Sequence, residues 1–308
     1  MASPLSDVKL LDPLNRLYRH ELAEWVVSRI KSSRITPNEI TIAHTLVGLS
    51  AAALIYHEHY VIAVLLYELR TVLDCVDGVL ARAKNQSTTM GRALDAIGDG
   101  ISFNSLMIAG ALRLIQDFRN YNSFLIVIGV FTFALVAAHC GTVYQLMRRK
   151  LGSIIHSDVD SVELEWRDYY AETQRENPSS LSKFGFWLDS MTIRFVSKEW
   201  YKKVLRRKDS IDWREKAQSE SVHMNELATI TRKHEFNRAV KWTAYVSDDN
   251  ILSVMCGVLL VLSLFPQDIF PNVHPLVVAF GVGFVYAMVA LSIGLHYLHE
   301  FLHGVHRE

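Results

Sequence analysis

Apolar residues in this chain gather into long blocks separated by charged stretches. Residues 121–147, 251–265 and 274–298 contain no Lys, Arg, Asp or Glu and are dense in Val, Leu, Ile, Phe, Ala and Gly. A helix needs ~20 apolar residues to cross a hydrocarbon core. The first and third blocks therefore predict membrane helices. The block 251–265 is shorter, with Pro266 marking its far end. Residues 40–56 form a fourth candidate, interrupted only by His44. Two more blocks are apolar but charged: 60–82 carries Glu68, Arg70, Asp74 and Asp77, and 93–115 carries Asp95, Asp99 and Arg113. Their lengths, and their places between clean spans, favour six membrane helices over four membrane helices and two soluble ones.

The flanking segments complete an all-α plan. In residues 1–35, Leu14, Leu17, Tyr18, Leu22, Trp25, Val26 and Ile30 recur at helical spacing, with Arg16, Arg19, Glu21 and Glu24 between them. This predicts an amphipathic helix lying in the membrane interface; no apolar core follows a charged start, so it does not read as a signal peptide. Residues 36–147 hold helices one to four, 148–248 a polar insert, and 249–308 helices five and six with a tail. The insert holds 19 Lys+Arg and 16 Asp+Glu. Its aromatic residues, among them Trp166, Phe186, Trp187 and Trp200, allow some packing, so a mostly helical cytoplasmic insert is expected. Its basic run Lys202, Lys203, Arg206, Arg207 and Lys208 reads equally as a contact for anionic headgroups or as a solvated helix face. Orientation follows from Lys and Arg in the short connections. Arg29, Lys31, Arg34, Arg82, Lys84, Arg92, Arg148, Arg149 and Lys150 lie on one side and Arg119 alone on the other. Both termini are thus expected in the cytoplasm.

Composition changes the picture little. Mean hydropathy is only +0.14 over 308 residues because it averages two populations. With 32 Lys+Arg against 32 Asp+Glu, no dominant polyanion-binding role, and so no nucleic-acid partner, is expected. Cys75, Cys140 and Cys256 are odd in number and far apart, which excludes a disulfide framework.

Candidate chemistry lies in the two charged blocks. A carboxylate in the hydrocarbon region costs a few kcal/mol, so its presence is a functional hypothesis by default. Asp74 and Asp77 stand three apart, Asp95 and Asp99 four apart, so each pair shares a helix face. The short polar link from Lys84 to Thr89 folds the two helices into a hairpin and brings the pairs together near the cytoplasmic side. Four carboxylates there repel unless cations neutralise them. The set is read as all-oxygen, without thiol or imidazole, which suits Mg²⁺ or Mn²⁺ rather than zinc, and by ligand count two ions. Gly78 removes a side chain beside Asp77, Ala81 is small on the same side, and Arg82 is a forked cation suited to phosphate. Gly91 opens the next helix before Asp95. A buried proton or cation relay is the rival reading; it explains the carboxylates but not the glycines, Ala81 and Arg82.

Together these residues form Asp74-x2-Asp77-Gly78-x2-Ala81-Arg82-x8-Gly91-x3-Asp95-x3-Asp99, which resembles the signature of the CDP-alcohol phosphotransferase family. The resemblance implies an integral membrane enzyme of phospholipid synthesis. Such an enzyme moves a substituted phosphate from a CDP-linked donor to an alcohol and releases CMP, usually as a homodimer with its site open to the cytoplasm. It implies Asp74, Asp77, Asp95 and Asp99 as metal ligands, Asp99 also as general base, and Gly78, Ala81, Arg82 and Gly91 against the cytidine diphosphate. The segment Thr36-Pro37-Asn38-Glu39-Ile40-Thr41 resembles the family's entry to the first helix, which places Asn38 and Thr41 near the nucleotide. Members using CDP-diacylglycerol often read Leu-Asp at the third Asp, as Leu94-Asp95 does. Choline and ethanolamine types usually carry His-Gly-Cys where this chain has Ala96-Ile97-Gly98. CDP-diacylglycerol is therefore the expected donor, with CDP-choline or CDP-ethanolamine as the alternative. The insert departs from the family, whose members typically have a shorter connection there.

Overall fold

The computed structural model describes residues 13–156, 170, 173, 179–196, 241–265 and 273–303. Among them every regular element is helical. A π-helical turn, Asn15–Arg19, leads into α1 (His20–Ile30), α2 (Pro37–Tyr56), α3 (Tyr60–Ala83), α4 (Thr89–Asp117), α5 (Ser123–His156), α6 (Ser180–Val196), α7 (Asp248–Leu264) and α8 (Pro275–His303). A helix stands on each of the six apolar blocks. Three are long and apolar enough to cross a bilayer: Pro37–Tyr56, Ser123–Met147 and Pro275–His299. The charges of α3 and α4 keep those two below that standard. The 17 residues of α7 span ~26 Å at 1.5 Å each, short of a ~30 Å core. The helix α5 also continues to His156, past the boundary expected at residue 147. The run from Trp200 to Lys208, like most of the insert, lies outside the described residues.

Local chemistry sets the helix ends that matter for the site. Before α2, the Thr36 hydroxyl accepts from the Glu39 N–H at 3.3 Å, while the Glu39 carboxylate accepts from the Thr36 N–H at 2.7 Å. This is a capping box with Pro37 at the first helical position. After α3, Asn85 takes φ 54° and the Gln86 N–H reaches back to the Ala81 carbonyl at 2.8 Å. That bond closes the helix as a Schellman motif, with an asparagine in the left-handed position. Thr88 then caps α4 by accepting from the Gly91 N–H at 3.0 Å. The α3–α4 hairpin is therefore held at both ends of its link.

The chain forms two compact units. One comprises residues 14–138 and 248–288. In it α1 runs alongside α3, with Ala23 and Val27 buried against Val76 and Leu80, and Val26 and Ile30 packed around them. Arg19 fixes one end: its Nε and Nη2 donate to the two Glu68 oxygens at 2.6 and 2.5 Å, and Nη2 also reaches Ser253 Oγ at 3.0 Å. Tyr18 donates to the same carboxylate. At the other end Lys84 Nζ donates to the carbonyls of Ser33 and Ile35 at 2.8 and 2.7 Å. The expected apolar stripe is thus divided. Val26 and Ile30 pack on the bundle, Leu17, Leu22 and Trp25 stay exposed, and Arg19, expected on the polar face, is buried. A charged side chain won a core position because Glu68 on α3 pairs with it.

Small residues let α2 and α4 cross closely. A Cβ on Gly48 would stand 2.5 Å from Ser102 Oγ, and one on Gly98 would collide with Thr45 Oγ1. Far along α4, Arg113 pairs with Glu58 and Asp117, and Asp117 meets His274 Nε2 at 2.9 Å. The second unit holds residues 139–247 and 289–303 of the described chain. There Val143 and Val246 close on Gly294, where an added Cβ would lie 2.8 Å from each.

Candidate metal and phosphate site

Three helices of the first unit converge on one group of side chains. The helix α3 presents Asp74 and Asp77, α4 presents Asp95, and α2 presents His44. One ligand atom from each of these four lies within 4.8 Å of all the others. His44 is fully buried. Its Nε2 faces Asp77 Oδ2 at 3.4 Å, Asp95 Oδ1 at 3.7 Å and Asp74 Oδ1 at 4.0 Å. The expectation of a cluster without imidazole is therefore corrected. In the sequence, residue 44 is a polar interruption of an apolar helix. The crossing of α2 over α4 instead aims it inward, with Cε1 3.4 Å from where a Cβ on Gly98 would stand.

Asp99 stands apart from this group. Arg70, one turn before Asp74 and itself buried, donates to Asp99 and lies 3.9 Å from Asp74. The Arg70 guanidinium thus bridges Asp99 and Asp74 and screens two of the four charges. Asp249, at the start of α7, adds a further negative charge near Arg70, Asp74 and Asp99. Neither Arg70 nor Asp249 was singled out from the sequence.

The remaining predicted residues fall around the cluster in two groups. Thr41 is buried and donates to Asp77 Oδ2 at 2.7 Å, so it orients a carboxylate. Asn38 is exposed, and its Oδ1 would lie 3.3 Å from a Cβ on Gly91, which joins the starts of α2 and α4. On α3, Arg82 is exposed and its Nη1 lies 3.6 Å from where a Cβ on Gly78 would stand, with Ala81 half-buried beside it. The guanidinium thus lies in ordinary contact distance over the bare backbone of Gly78.

The donor set fits a divalent cation. Asp95 Oδ1 and both ring nitrogens of His44 are buried without a hydrogen-bond partner, although buried polar atoms are normally satisfied. Three carboxylates gathered with an imidazole in one pocket make a mixed oxygen–nitrogen set of the kind that holds Mn²⁺ or a related ion.

Comparison with known proteins agrees with this geometry. Residues 34–154 match the CDP-alcohol phosphatidyltransferase family. Over 89 residues, 29% of this chain and 47% of the relative, the sequence is 33% identical to the archaetidylinositol phosphate synthase of Pyrococcus horikoshii. Over 91 residues, 30% of this chain and 21% of the relative, it is 36% identical to the bifunctional IPC transferase and DIPP synthase of Thermococcus kodakarensis. An uncharacterised protein of Aquifex aeolicus is 38% identical over 86 residues, 28% of this chain and 43% of its own. The chain therefore spans less than half the length of each of these relatives. The matched segment contains the cap of α2, the whole α3–α4 hairpin and every residue of the cluster, and three helices are apolar enough to span a bilayer. Residues 34–154, which carry the whole cluster, are thus similar to the CDP-alcohol phosphatidyltransferase family.

Proposed function

We propose that the protein is a membrane phosphotransferase that moves a substituted phosphate from a CDP-linked donor to an alcohol hydroxyl and releases CMP. The observation that carries this reading is the convergence of Asp74, Asp77 and Asp95 within 4.8 Å of one another, with Arg82 lying over Gly78 and Asn38 beside Gly91 at the same helix ends. A relay for protons or cations needs neither a forked cation nor the glycines.

In this reading the diphosphate lies between the carboxylate cluster and Arg82, and the cytidine rests against Gly78, Ala81 and Gly91 with Asn38 and Thr41 near it. Mg²⁺ or Mn²⁺, one ion or the two that the ligand count suggests, would be held by Asp74, Asp77 and Asp95 and would offset negative charge on the diphosphate. Arg82 supplies fixed donors to the same oxygens. The acceptor hydroxyl attacks the phosphorus distal to cytidine. A new P–O bond forms, the bond from that phosphorus to the bridging oxygen breaks, and its electron pair leaves with CMP. Asp99 takes the hydroxyl proton as general base. Arg70 positions Asp99 for this, and Asp99 would have to leave Arg70 to serve also as a ligand to a second ion.

We further propose six membrane-spanning helices, with both termini and the site on the cytoplasmic side and α1 in the interface. A charged site at the inner ends of α3 and α4 is reached by lipid from the bilayer and by soluble reactants from water. Homodimers are proposed on family resemblance alone. Leu94-Asp95, and the likeness to a synthase of archaetidylinositol phosphate, favour CDP-diacylglycerol or a similar lipid donor with a small polar acceptor such as inositol, inositol phosphate, glycerol phosphate, serine or choline. The test is CMP release by purified protein in liposomes, each CDP-donor paired with each alcohol, with Mg²⁺ or Mn²⁺ and with excess EDTA. CMP is expected from CDP-diacylglycerol and not in EDTA. Release only from CDP-choline or CDP-ethanolamine with diacylglycerol would reverse the donor assignment, and full turnover in EDTA would refute the metal site.

A further inference from the structure

His44 is the one member of the cluster that the matched motif does not contain. Three observations bear on its role. The ring is fully buried. Neither ring nitrogen has a hydrogen-bond partner. Nε2 faces three carboxylate oxygens at 3.4–4.0 Å, near enough to share a centre with them but not engaged in a well-formed hydrogen bond to any. The surroundings hold it there: Gly98 leaves space for Cε1, and Thr41, one turn earlier on α2, ties Asp77 in place at 2.7 Å. A ring placed only to fill space would not present one nitrogen to three carboxylate oxygens.

We infer that His44 Nε2 is a direct ligand of the ion held by Asp74, Asp77 and Asp95, making this a mixed imidazole–carboxylate centre. The inference rests on the cluster being a divalent-metal site, and not on which alcohol is the acceptor. Its consequence is metal preference. Mg²⁺ favours an all-oxygen shell and sheds water reluctantly. An imidazole ligand moves a site toward Mn²⁺ and the later divalent ions. The centre should therefore discriminate between Mn²⁺ and Mg²⁺ more strongly than three carboxylates alone.

The experiment uses the full-length protein in micelles with Mn²⁺ as the probe. Electron spin-echo envelope modulation at one equivalent of Mn²⁺ is expected to show a directly bonded imidazole nitrogen, and the signal is expected to change when the protein is labelled with ¹⁵N-histidine. In His44→Gln the nitrogen signal should vanish. By titration, Mn²⁺ affinity in that variant should fall about 10- to 100-fold, while Mg²⁺ affinity changes by less than about threefold, because oxygen ligands carry Mg²⁺ binding. Bound Mn²⁺ without nitrogen coupling in the wild-type protein would overturn the inference and leave the carboxylate site standing. Equal losses for both ions in His44→Gln would also overturn it, since a merely structural role damages both alike. Failure of the wild-type protein to bind Mn²⁺ at all would overturn the metal reading together with it. The labelling arm needs no variant and decides the matter if His44→Gln does not fold.

Discussion

Gly98→Ala tests how tightly the crossing of α2 and α4 sets the site. The new Cβ would collide with Thr45 Oγ1 and touch His44 Cε1 at 3.4 Å and Thr41 Cγ2 at 3.7 Å. The Thr45 hydroxyl is not free to swing aside without cost, because it donates to the Thr41 carbonyl at 2.8 Å. Ordinary contact needs ~3.5–4.0 Å between carbon-sized atoms, so α4 must retreat from α2 by on the order of 1 Å, or Thr45 must give up a bond of ~1 kcal/mol. Overpacking of this kind costs ~1–3 kcal/mol, which a stable helical unit survives. The effect on chemistry is larger, because Asp95 and Asp99 ride on the same turns of α4 while His44 and Asp77 stay behind. Misplacement by ~1 Å is worth about 100-fold in rate, so CMP release in liposomes should fall between about 10- and 100-fold, with the unfolding midpoint little changed. Thr45→Ala removes the colliding oxygen. The double variant should recover to within about threefold of wild type, a coupling that only contacting residues show. A fully active Gly98→Ala protein, or a double variant no better than the single, would refute the claim that the close crossing positions the cluster.

Other outcomes follow from the same geometry. Asp99→Asn keeps the shape and the contact with Arg70 but cannot take a proton, so turnover should drop at least about 100-fold while insertion and purification match wild type; more than a tenth of wild-type turnover would argue against Asp99 as base. Arg82→Lys keeps the charge and loses the fork, so the KM for the CDP-donor should rise about tenfold; unchanged steady-state kinetics would make Arg82 an ordinary inner-side cation. Arg19→Met should destabilise the first unit by ~1–3 kcal/mol, less than the ~3–5 of a fully buried pair because the Glu68 side chain keeps 34% of its exposure. Glu68→Leu in the same protein should restore most of that loss in a thermal melt, and a double variant as unstable as the single would show that Arg19 acts through other contacts.

The helices were readable because apolar blocks report length directly: α2 to α5, α7 and α8 each stand where a block lies. Asp74, Asp77, Asp95 and Asp99 were readable because ionised groups are expensive in such blocks and their spacing is rigid. The same cost argument applies to His44 and Arg70, which sit inside the apolar blocks 40–56 and 60–82. His44 had a further signal in its spacing of three from Thr41, which puts both on one face of α2. What spacing alone does not encode is which helix crosses which. Asp99 stands outside the group of four and is paired with Arg70, which its place in the motif does not reveal. Arg19 misled the helical-wheel reading for a related reason. Periodicity assigns charges to solvent, and Glu68 on α3, with Ser253, turns this one inward.

The cluster draws ligands from α2, α3 and α4, so its occupant is also a cross-brace for the bundle. Left without an ion, three carboxylates within 4.8 Å push α3 and α4 apart. An ion at 100 times its dissociation constant adds ~2.7 kcal/mol to the folded state by mass action alone. Shifts of ~1–2 kcal/mol alter how much of a protein survives chaperones and proteases by several-fold. A cell starved of the ion would then hold fewer copies of this protein rather than the same number standing idle.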